Sequence, residues 1–466
     1  YYEDMPDKAP HSTVKPGYLY RLLPLEAPEE PESFDAIHND METKIVPGIT
    51  HWQSGNFFGW YPASNSFPAM LGDMYSSMFS VPGFNWICSP AATELETVVT
   101  DWLGKLIGLD KRFRAINDDG TECDGGGIIQ ETASDAILLS MIGGRQRVLE
   151  RLRAEGASDD DIARARTKLV AYFSDQTHSC GEKATMVIGC KVHTIESDRG
   201  LRLTADALRA AVAADKAAGL IPFFVCGTFG TTNTAAIDDL SGIAEIAADE
   251  NMWYHVDAAY AGAALCCPEF RPLARGIEAA DAFVFNTHKW MLTGSSCSVL
   301  WVADSTYQIN ALNLEREYLP RVRGTTSFAK DYHRWEIPLG HRFRSLKLWF
   351  MMRMYGAAGI RAHIRGHVDE AKWLEGQLLA DGRFEIAAPV VFGLVVFRIH
   401  PDVLPGGGLD AANAELLRRI NADGRVFLVG TKLKGVQVLR AAIGATMGSH
   451  ENTRNLLAVL KEVAAV

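Results

Sequence analysis

The stretch KLVAYF, at 168–173, opens a series of five short apolar runs that continues with IPFFVC at 221–226, MWYHV at 252–256, FVF at 283–285 and SVLWV at 298–302. Segments with helical patterns near 205–218 and 237–250 separate the first three runs. Alternation of this kind predicts βαβ units and a mostly parallel sheet, which is an α/β fold. Such sheets bind ligands at the carboxyl ends of their strands.

Helical patterns flank this series on both sides. Ser89-Pro90 combines a capping hydroxyl with proline at the first helical position, and an apolar stripe then runs to Gly108. A second helix is predicted from about Ser33 to Val46. After 345 the chain is helical again, at 345–355 and 360–379, and a strand-like run follows at 390–399. We expect this last part to be a smaller α+β unit.

The composition of the chain argues against several classes of function. The chain has 466 residues, 47% of them apolar, and a formal net charge of −11. An acidic balance argues against a nucleic-acid partner, and no apolar run reaches the roughly 18 residues that cross a membrane. The eight cysteines form no CxxC pair, so neither a metal site nor a redox motif is predicted. Scattered cysteines of this kind are typical of thiols in a reducing compartment, and we expect a cytoplasmic location.

The segment from Gly125 to Ser134 (GGGIIQETAS) is the first candidate binding motif. A glycine run that opens into a helix, with hydroxyls near the helix start, is typical of a phosphate site. Gln130 stands where the dinucleotide fingerprint needs glycine, and no Gly-Lys-Ser/Thr follows as a P-loop requires. A plain flexible loop that feeds a helix is the alternative interpretation.

Two further motifs lie at the ends of predicted strands. Asp257, in HVDAAY, ends a buried strand, and a buried carboxylate needs a partner such as a capping group, an arginine or a protonated ring nitrogen. Lys289, in FVFNTHKW, follows the next strand, where partial burial would lower its pKa and make the amine nucleophilic. An ordinary surface lysine is the alternative. A phosphate cradle, a buried acid and a lysine at one sheet edge together fit pyridoxal phosphate.

The chain resembles the group II pyridoxal-phosphate decarboxylases, specifically the aromatic L-amino acid decarboxylases that act on tyrosine, tryptophan or DOPA. Eight stretches carry the resemblance in order from about 49 to 357: THWQSGNFFGWYPASNSFPAML, SPAATELETVVTDWLGKLIGL, GGGIIQETAS, SDQTHS, GTFGTTNTAAID, HVDAAYAG, FNTHKW and IPLGHRFRSLKLWFMMRMYG. The resemblance implies the type I fold of pyridoxal-phosphate-dependent transferases, with a helical N-terminal segment and a small C-terminal α+β domain. It divides the chain into a dimerisation segment at 1–66, a large cofactor-binding domain at 67–346 and a small domain at 347–466.

The resemblance also assigns roles to residues. Lys289 would hold the cofactor covalently, Asp257 would pair with its ring nitrogen, and His178 would stack on the ring and position the substrate carboxylate. The remaining cofactor-binding positions are Thr132, Ala133, Ser134, Thr228, Ala259, Asn286 and His288. The positions that shape the substrate pocket, several of them supplied by the neighbouring subunit of a homodimer, are Trp52, Trp60, Tyr61, Pro62, Phe84 and Gly340.

The pocket departs from the family pattern at one point. Relatives often have Tyr-Phe-Pro-Thr where this chain has Trp60-Tyr61-Pro62-Ala63, and alanine removes a hydroxyl and opens space. Gly340 is also a small residue. Both features favour a bulky ring such as indole only weakly, because Trp60 could fill the room. The stretch from Trp52 to Pro68 could equally be a buried irregular connector or an aromatic wall for a ligand or a partner subunit.

Tyr318, in LEREYL, is the candidate proton donor. The resemblance places it on a lid, where its phenol would return a proton to the substrate Cα after CO₂ leaves. Relatives with phenylalanine there tend to be aldehyde synthases, so Tyr318 with His178 favours plain decarboxylation. The alternatives are an aromatic acetaldehyde synthase, a histidine decarboxylase and, disfavoured by so aromatic a pocket, a glutamate decarboxylase. A nicotinamide oxidoreductase and a non-catalytic α/β binding protein are the alternatives from other classes.

Overall fold

The computed structural model describes residues 1–314, 330–404 and 407–464. Two compact units make up the chain: Ala63–Asp369 is one, and Tyr1–Pro62 with Glu370–Val466 is the other. The three-part division at 66 and 346 stays a prediction. Within the described ranges, no helix combines the length and apolar character that crossing a membrane requires.

The secondary structure alternates along the larger unit as the sequence predicts. The helices are α1 (Tyr18–Leu22), α2 (Phe34–Asp40), α3 (Phe67–Phe79), α4 (Pro90–Ile107), α5 (Ala133–Ala154), α6 (Asp159–Arg166), α7 (Cys180–Ile188), α8 (Ala205–Ala217), α9 (Leu240–Asp249), α10 (Thr287–Trp290), α11 (Thr306–Leu312), α12 (Ser345–Asp381), α13 (Leu409–Asp423) and α14 (His450–Val463). The strands are β1 (Gly126–Gln130), β2 (Leu169–Ser174), β3 (Lys191–Ile195), β4 (Ile221–Thr228), β5 (Trp253–Asp257), β6 (Ala282–Asn286), β7 (Ser298–Val302), β8 (Phe384–Ile386), β9 (Leu394–Ile399), β10 (Val429–Leu433) and β11 (Val436–Ala442).

A seven-stranded sheet forms the centre of the larger unit, in the order β1-β7-β6-β5-β4-β2-β3. The strands from β6 to β3 run parallel, and β7 is antiparallel to both of its neighbours. All five predicted apolar runs are strands of this sheet, which confirms the mostly parallel α/β prediction. β5, β6 and β7 are buried along their whole length, as expected for a sheet covered on both faces.

Helix caps follow the sequence signals. The Ser89 hydroxyl accepts a hydrogen bond from the Ala92 amide at 3.2 Å, and α4 ends at Gly108, whose φ of 77° favours glycine. The helix predicted from 33 to 46 is less regular: α2 is followed by a π-helical turn at Met41–Ile45. The two segments predicted at 345–355 and 360–379 form α12, which is interrupted at Gly356 with φ 61° and ψ 170°.

The glycine run is a packed strand, and the prediction of a loop that opens directly into a helix was wrong for it. β1 begins at Gly126, and α5 begins only at Ala133. A Cβ on Gly127 would lie 2.6 Å from Thr100 Cβ, and one on Gly125 would lie 2.1 Å from the Arg112 carbonyl oxygen. These glycines therefore let β1 pack closely against neighbouring segments.

A network of buried ion pairs connects β1 with α4 and with the residues before α12. The Arg344 guanidinium donates to Glu96 Oε1 at 2.9 Å and to Glu336 Oε2 at 3.0 Å, and all three side chains are at most 6% exposed. Glu336 also accepts from Gln130 Nε2 at 2.9 Å, and Glu96 accepts from the Ile129 amide. Because each buried charge is paired and hydrogen-bonded, the network ties α4, β1 and the start of α12 together.

The smaller unit contains the second sheet. Its four strands are antiparallel in the order β10-β11-β9-β8, and a separate apolar core includes Leu374, Val395 and Leu456. This architecture confirms the predicted α+β character, although β9 occupies only the second part of the run predicted at 390–399.

The packing of β1 gives a stability test. We expect Gly127→Ala to lower the free energy of unfolding by about 1–3 kcal/mol, because the added methyl group overlaps Thr100 in a buried site. Gly366→Ala is the matched control: it lies in α12 with nothing within 4 Å of an added Cβ, so it should be neutral or stabilise by less than about 1 kcal/mol. Chemical denaturation measures both, and equal effects would contradict the close packing.

Candidate active site

Three neighbouring strands of the larger unit end at one edge of the sheet. Thr228 at the end of β4 is paired with Asp257 at the end of β5, and Asp257 is paired with Val284 in β6. Asn286 ends β6, and α10 follows directly. The predicted Asp257, Thr228 and Asn286 therefore lie on adjacent strands at the carboxyl edge, where parallel sheets bind ligands.

Asp257 is a buried acid. The residue is only 5% exposed, and its Oδ1 accepts a hydrogen bond from the Ala259 amide at 2.9 Å. In the described parts of the chain, no lysine or arginine forms an ion pair with this carboxylate. A carboxylate held in this way is suited to pair with a cationic group brought in by a ligand, because an unpaired buried charge is costly.

Lys289 lies in the single turn of α10, which begins one residue after β6 ends. The Lys289 side chain is half-buried, and its carbonyl oxygen accepts from the Ser64 amide at 3.3 Å. The neighbouring His288 is held by Cys297, whose amide donates to His288 Nδ1 at 3.0 Å. Burial and the nearby charges of Lys289 and Lys347 lower the pKa of His288 to about 4, so this imidazole is neutral at pH 7.

His178 follows β2, a parallel neighbour of β4, and so lies at the same edge of the sheet as Asp257 and Lys289. Burial lowers the pKa of His178, Lys289 lowers it further, and Asp257 opposes the decrease. The same two charges act on the thiol of Cys180, where burial and Asp257 raise the pKa and Lys289 opposes them. His178 Nδ1 accepts from the Cys180 amide at 3.2 Å, so the ring is tied to the start of α7. His178 is thus a neutral and oriented imidazole at the edge that carries the acid and the amine.

The sequence analysis assigned no role to Asp238. Its carboxylate accepts from the Thr228 amide at 2.8 Å and from the Leu203 amide at 2.7 Å, and burial raises its pKa to about 7. The Thr228 hydroxyl is itself buried. Asp238 therefore fixes the backbone that presents this hydroxyl. The sequence did contain a signal for Asp238, because this residue is the last one of the family motif GTFGTTNTAAID.

The predicted phosphate positions lie at the start of α5. Thr132 is its N-cap, and the Thr132 hydroxyl donates to Asp135 Oδ2 at 2.7 Å in a reciprocal capping box. This hydroxyl is therefore engaged within the helix cap. The amides of Ala133 and Ser134 head the 22-residue helix, which is the arrangement that favours an anion.

The remaining cofactor positions belong to the same edge. The Ala259 carbonyl accepts from the Asn286 amide at 3.1 Å, which joins the segments after β5 and β6. The Asn286 side-chain oxygen accepts from the Ser298 hydroxyl at 2.8 Å. Asn286 therefore contributes to the rigidity of the edge.

The predicted substrate positions fall into two groups. In the larger unit, Phe84 is half-buried and Gly340 is exposed, and the hydrogen bond from the Gly83 amide to the His341 carbonyl joins their segments at 2.8 Å. In the smaller unit, the Trp52 and Trp60 rings stack 5.2 Å apart. Tyr61 and Pro62 are buried there, with the Arg440 guanidinium 5.2 Å from the Tyr61 ring. Tyr318 lies outside the described residues.

Comparison with known proteins identifies the class. Residues 16–400 match the family described as the pyridoxal-dependent decarboxylase conserved domain, and the chain belongs to this family. The matched range includes Lys289, Asp257 and His178. The chain is therefore a carboxy-lyase that depends on pyridoxal phosphate.

Individual relatives cover nearly all of the chain. An aromatic-L-amino-acid decarboxylase of Cavia porcellus is 44% identical over 100% of this chain and 94% of its own length. A phenylacetaldehyde synthase of Arabidopsis thaliana is 42% identical over 100% of this chain and 93% of its own length. A crystal structure of Oryza sativa TDC with PLP and tryptamine has a TM-score of 0.94 and 36% identity, and it covers 99% of this chain and 94% of that one.

The residues at the edge fit pyridoxal phosphate. Asp257 offers a buried carboxylate without a cationic partner among the described residues, and Thr228 offers a buried hydroxyl beside it at the end of β4. The start of α5 offers amides for a phosphate, and Lys289 offers a primary amine. Such an acid, hydroxyl, anion site and amine match the ring nitrogen, phenolic oxygen, phosphate and aldehyde of the cofactor.

The role of Lys289 gives the site prediction. We expect Lys289→Ala to lose the visible absorbance of the covalently bound cofactor and to reduce turnover by at least about 10³-fold, because the attaching amine is gone. Lys216→Ala is the matched control, since Lys216 pairs with Glu250 at the surface. Absorbance spectra and single-turnover assays measure both effects. A Lys289→Ala protein that keeps its absorbance and turnover would contradict the assignment.

Proposed function

We propose that the protein removes CO₂ from an aromatic L-amino acid, such as tryptophan, tyrosine, DOPA or 5-hydroxytryptophan, and releases the aryl-alkyl amine. The observation that carries this proposal is that Asp257 ends β5, Lys289 follows β6 and His178 follows β2, all at the same edge of the parallel strands. An amine, a buried acid and a neutral imidazole are the groups that cofactor-assisted decarboxylation needs.

The described residues divide the chemistry among them. Pyridoxal phosphate, when bound, supplies a ring that accepts the electron pair left behind by departing CO₂. Asp257 offers a carboxylate in a buried site, where it would pair with a protonated ring nitrogen of the cofactor. Lys289 provides the amine that holds the cofactor. His178 is neutral at pH 7, because burial and Lys289 both lower its pKa, and it can donate a hydrogen bond to a substrate carboxylate without protonating it.

The aromatic class of substrate is supported by relatives over the whole chain. The relatives named aromatic-L-amino-acid decarboxylase and tryptophan decarboxylase are 44% and 40% identical to this chain. Phe84 and the stacked Trp52 and Trp60 supply aromatic surface at predicted substrate positions. Aromatic rings pack favourably on such surfaces.

The proposal includes a homodimer and a cytoplasmic location. Helix α3 exposes a row of large apolar side chains in the single chain, with Phe67 66%, Met74 67% and Met78 65% exposed. An apolar face of this extent is typical of a surface that another subunit covers. The eight cysteines are unpaired thiols, which fits a reducing compartment.

An aldehyde synthase is the second candidate, and the 42% identity to the phenylacetaldehyde synthase favours it. The two reactions differ after CO₂ has left, since the synthase consumes O₂ and releases an aldehyde, ammonia and peroxide. Tyr318 supports the decarboxylase, because a phenol can return a proton to Cα before oxygen reacts.

Substitution of Tyr318 tests this choice. We expect Tyr318→Phe to make the aldehyde and peroxide at the expense of the amine, because the proton donor is removed. Tyr307→Phe in α11 is the control: this ring packs edge-on against Trp253 at 6.0 Å, and its hydroxyl has no proposed role. Mass spectrometry of products, with a peroxide assay, measures the change. An unchanged product ratio in Tyr318→Phe would remove Tyr318 from this role.

Product analysis tests the proposed function itself. The purified protein, loaded with pyridoxal phosphate, is given tyrosine, DOPA, tryptophan, 5-hydroxytryptophan and phenylalanine together in one tube. We expect CO₂ and at least one of the matching amines. Release of CO₂ from none of the five amino acids by a protein with bound cofactor would contradict the proposal.

A further inference from the structure

Lys289 lies in an element that cannot orient it alone. Helix α10 contains only four residues, Thr287–Trp290, and a helix of one turn is not stable by itself. The position of α10, and with it the backbone of Lys289, must therefore be set by contacts with the rest of the larger unit. On the C-terminal side of Lys289, the Leu292 amide donates to Ser64 Oγ at 3.0 Å, and Trp290, directly after Lys289, is completely buried.

The Trp290 indole is fixed from two directions. Its Nε1 donates a hydrogen bond to His367 Nδ1 at 2.9 Å. Its ring stacks on Tyr260, with centroids 4.9 Å apart and planes at 16°. Tyr260 follows Asp257 by three positions in HVDAAY. The Trp290 indole, directly after Lys289, therefore also packs on the segment that carries Asp257.

His367 is suited to accept this hydrogen bond. Acceptance at Nδ1 requires a neutral ring with its proton on Nε2. Burial lowers the pKa of His367 to about 4, which keeps the ring neutral. His363, one turn earlier in α12, packs edge-on against it with centroids 4.4 Å apart, and burial together with His367 lowers the pKa of His363 to about 3. Both rings are thus uncharged members of a packed cluster.

We propose that His367 is a positioning residue for Lys289: through the Trp290 indole it holds α10 so that the ε-amine is aimed at the aldehyde of the cofactor. This inference rests on the proposed attachment of pyridoxal phosphate to Lys289. It assigns a part in the reaction to two residues of α12 and α10 that do not themselves meet the substrate.

The test compares two substitutions of His367 that differ in one respect. His367→Leu fills the space and removes the acceptor, whereas the side-chain oxygen of His367→Asn can take the place of Nδ1. After borohydride reduction of the full-length holoenzyme, peptide mapping gives the fraction of bound cofactor that is fixed on Lys289. We expect His367→Leu and Trp290→Phe to lower this fraction. The ratio of attached to unattached cofactor should fall, and the rate of cofactor loss should rise, by about fivefold, the size typical of one lost hydrogen bond. His367→Asn should recover most of the attached fraction.

Trp253→Phe is the matched control. Trp253 is equally buried, and its Nε1 donates to Ser140 Oγ at the same 2.9 Å, but this bond lies away from Lys289 in the sequence and in the sheet. We expect this variant to lower the thermal midpoint of the apoprotein as much as Trp290→Phe does, with the labelled fraction unchanged. Thermal unfolding of each apoprotein thus separates lost stability from lost positioning.

The outcomes are distinct. Equal labelled fractions in His367→Leu and His367→Asn, or an equal loss in Trp253→Phe, would overturn the positioning role while leaving the proposed function intact. Absence of label on Lys289 in the wild-type protein would overturn the proposed function before any variant is compared.

Discussion

The burial of the Asp257 carboxylate is the constraint on which the site depends. It lies at the end of a fully buried strand, with one described amide donor and no ion-pair partner in the described ranges. A negative charge in such a place destabilises the protein unless a cation joins it. The proposed pairing with a protonated nitrogen of the cofactor would offset this cost, so that cofactor binding and the stability of this part of the sheet would be linked.

The parallel sheet converts this local constraint into an active site. Because β4, β5 and β6 run in the same direction side by side, whatever follows each of them emerges at one edge. The chain places a hydroxyl, an acid and an amine there, at Thr228, Asp257 and Lys289. His178 lies at the same edge, because it follows β2, and β2 is a parallel neighbour of β4.

The parts of the fold that could be predicted from the sequence are those that depend on local sequence patterns. Apolar runs revealed five strands of the large sheet, and caps at Ser89 and Gly108 gave the bounds of α4. β1 was missed because a run of glycines is typical of a loop, whereas its strand conformation comes from pairing with β7, which is distant in sequence. β3 was missed because it is largely exposed and lacks an apolar run.

The candidate site also has residues that the sequence predicts and residues that only the structure reveals. Lys289 and Asp257 stand next to strand patterns, and motifs of a known family surround them. The support behind them could not be read from the sequence: Trp290 and His367 are 77 positions apart, and only the fold brings their nitrogen atoms within 2.9 Å. Likewise, the engagement of Thr132 by Asp135 depends on the geometry of one helix cap.

The most direct test of the account is the protonation state of the cofactor nitrogen. Pyridoxal phosphate labelled with ¹⁵N in its ring, bound to the wild-type protein, should show the chemical shift of a protonated nitrogen at neutral and mildly alkaline pH. Asp257→Asn, which keeps the shape and removes the charge, should shift the signal to that of the neutral ring. An unprotonated nitrogen in the wild type, or identical shifts in both proteins, would contradict the account.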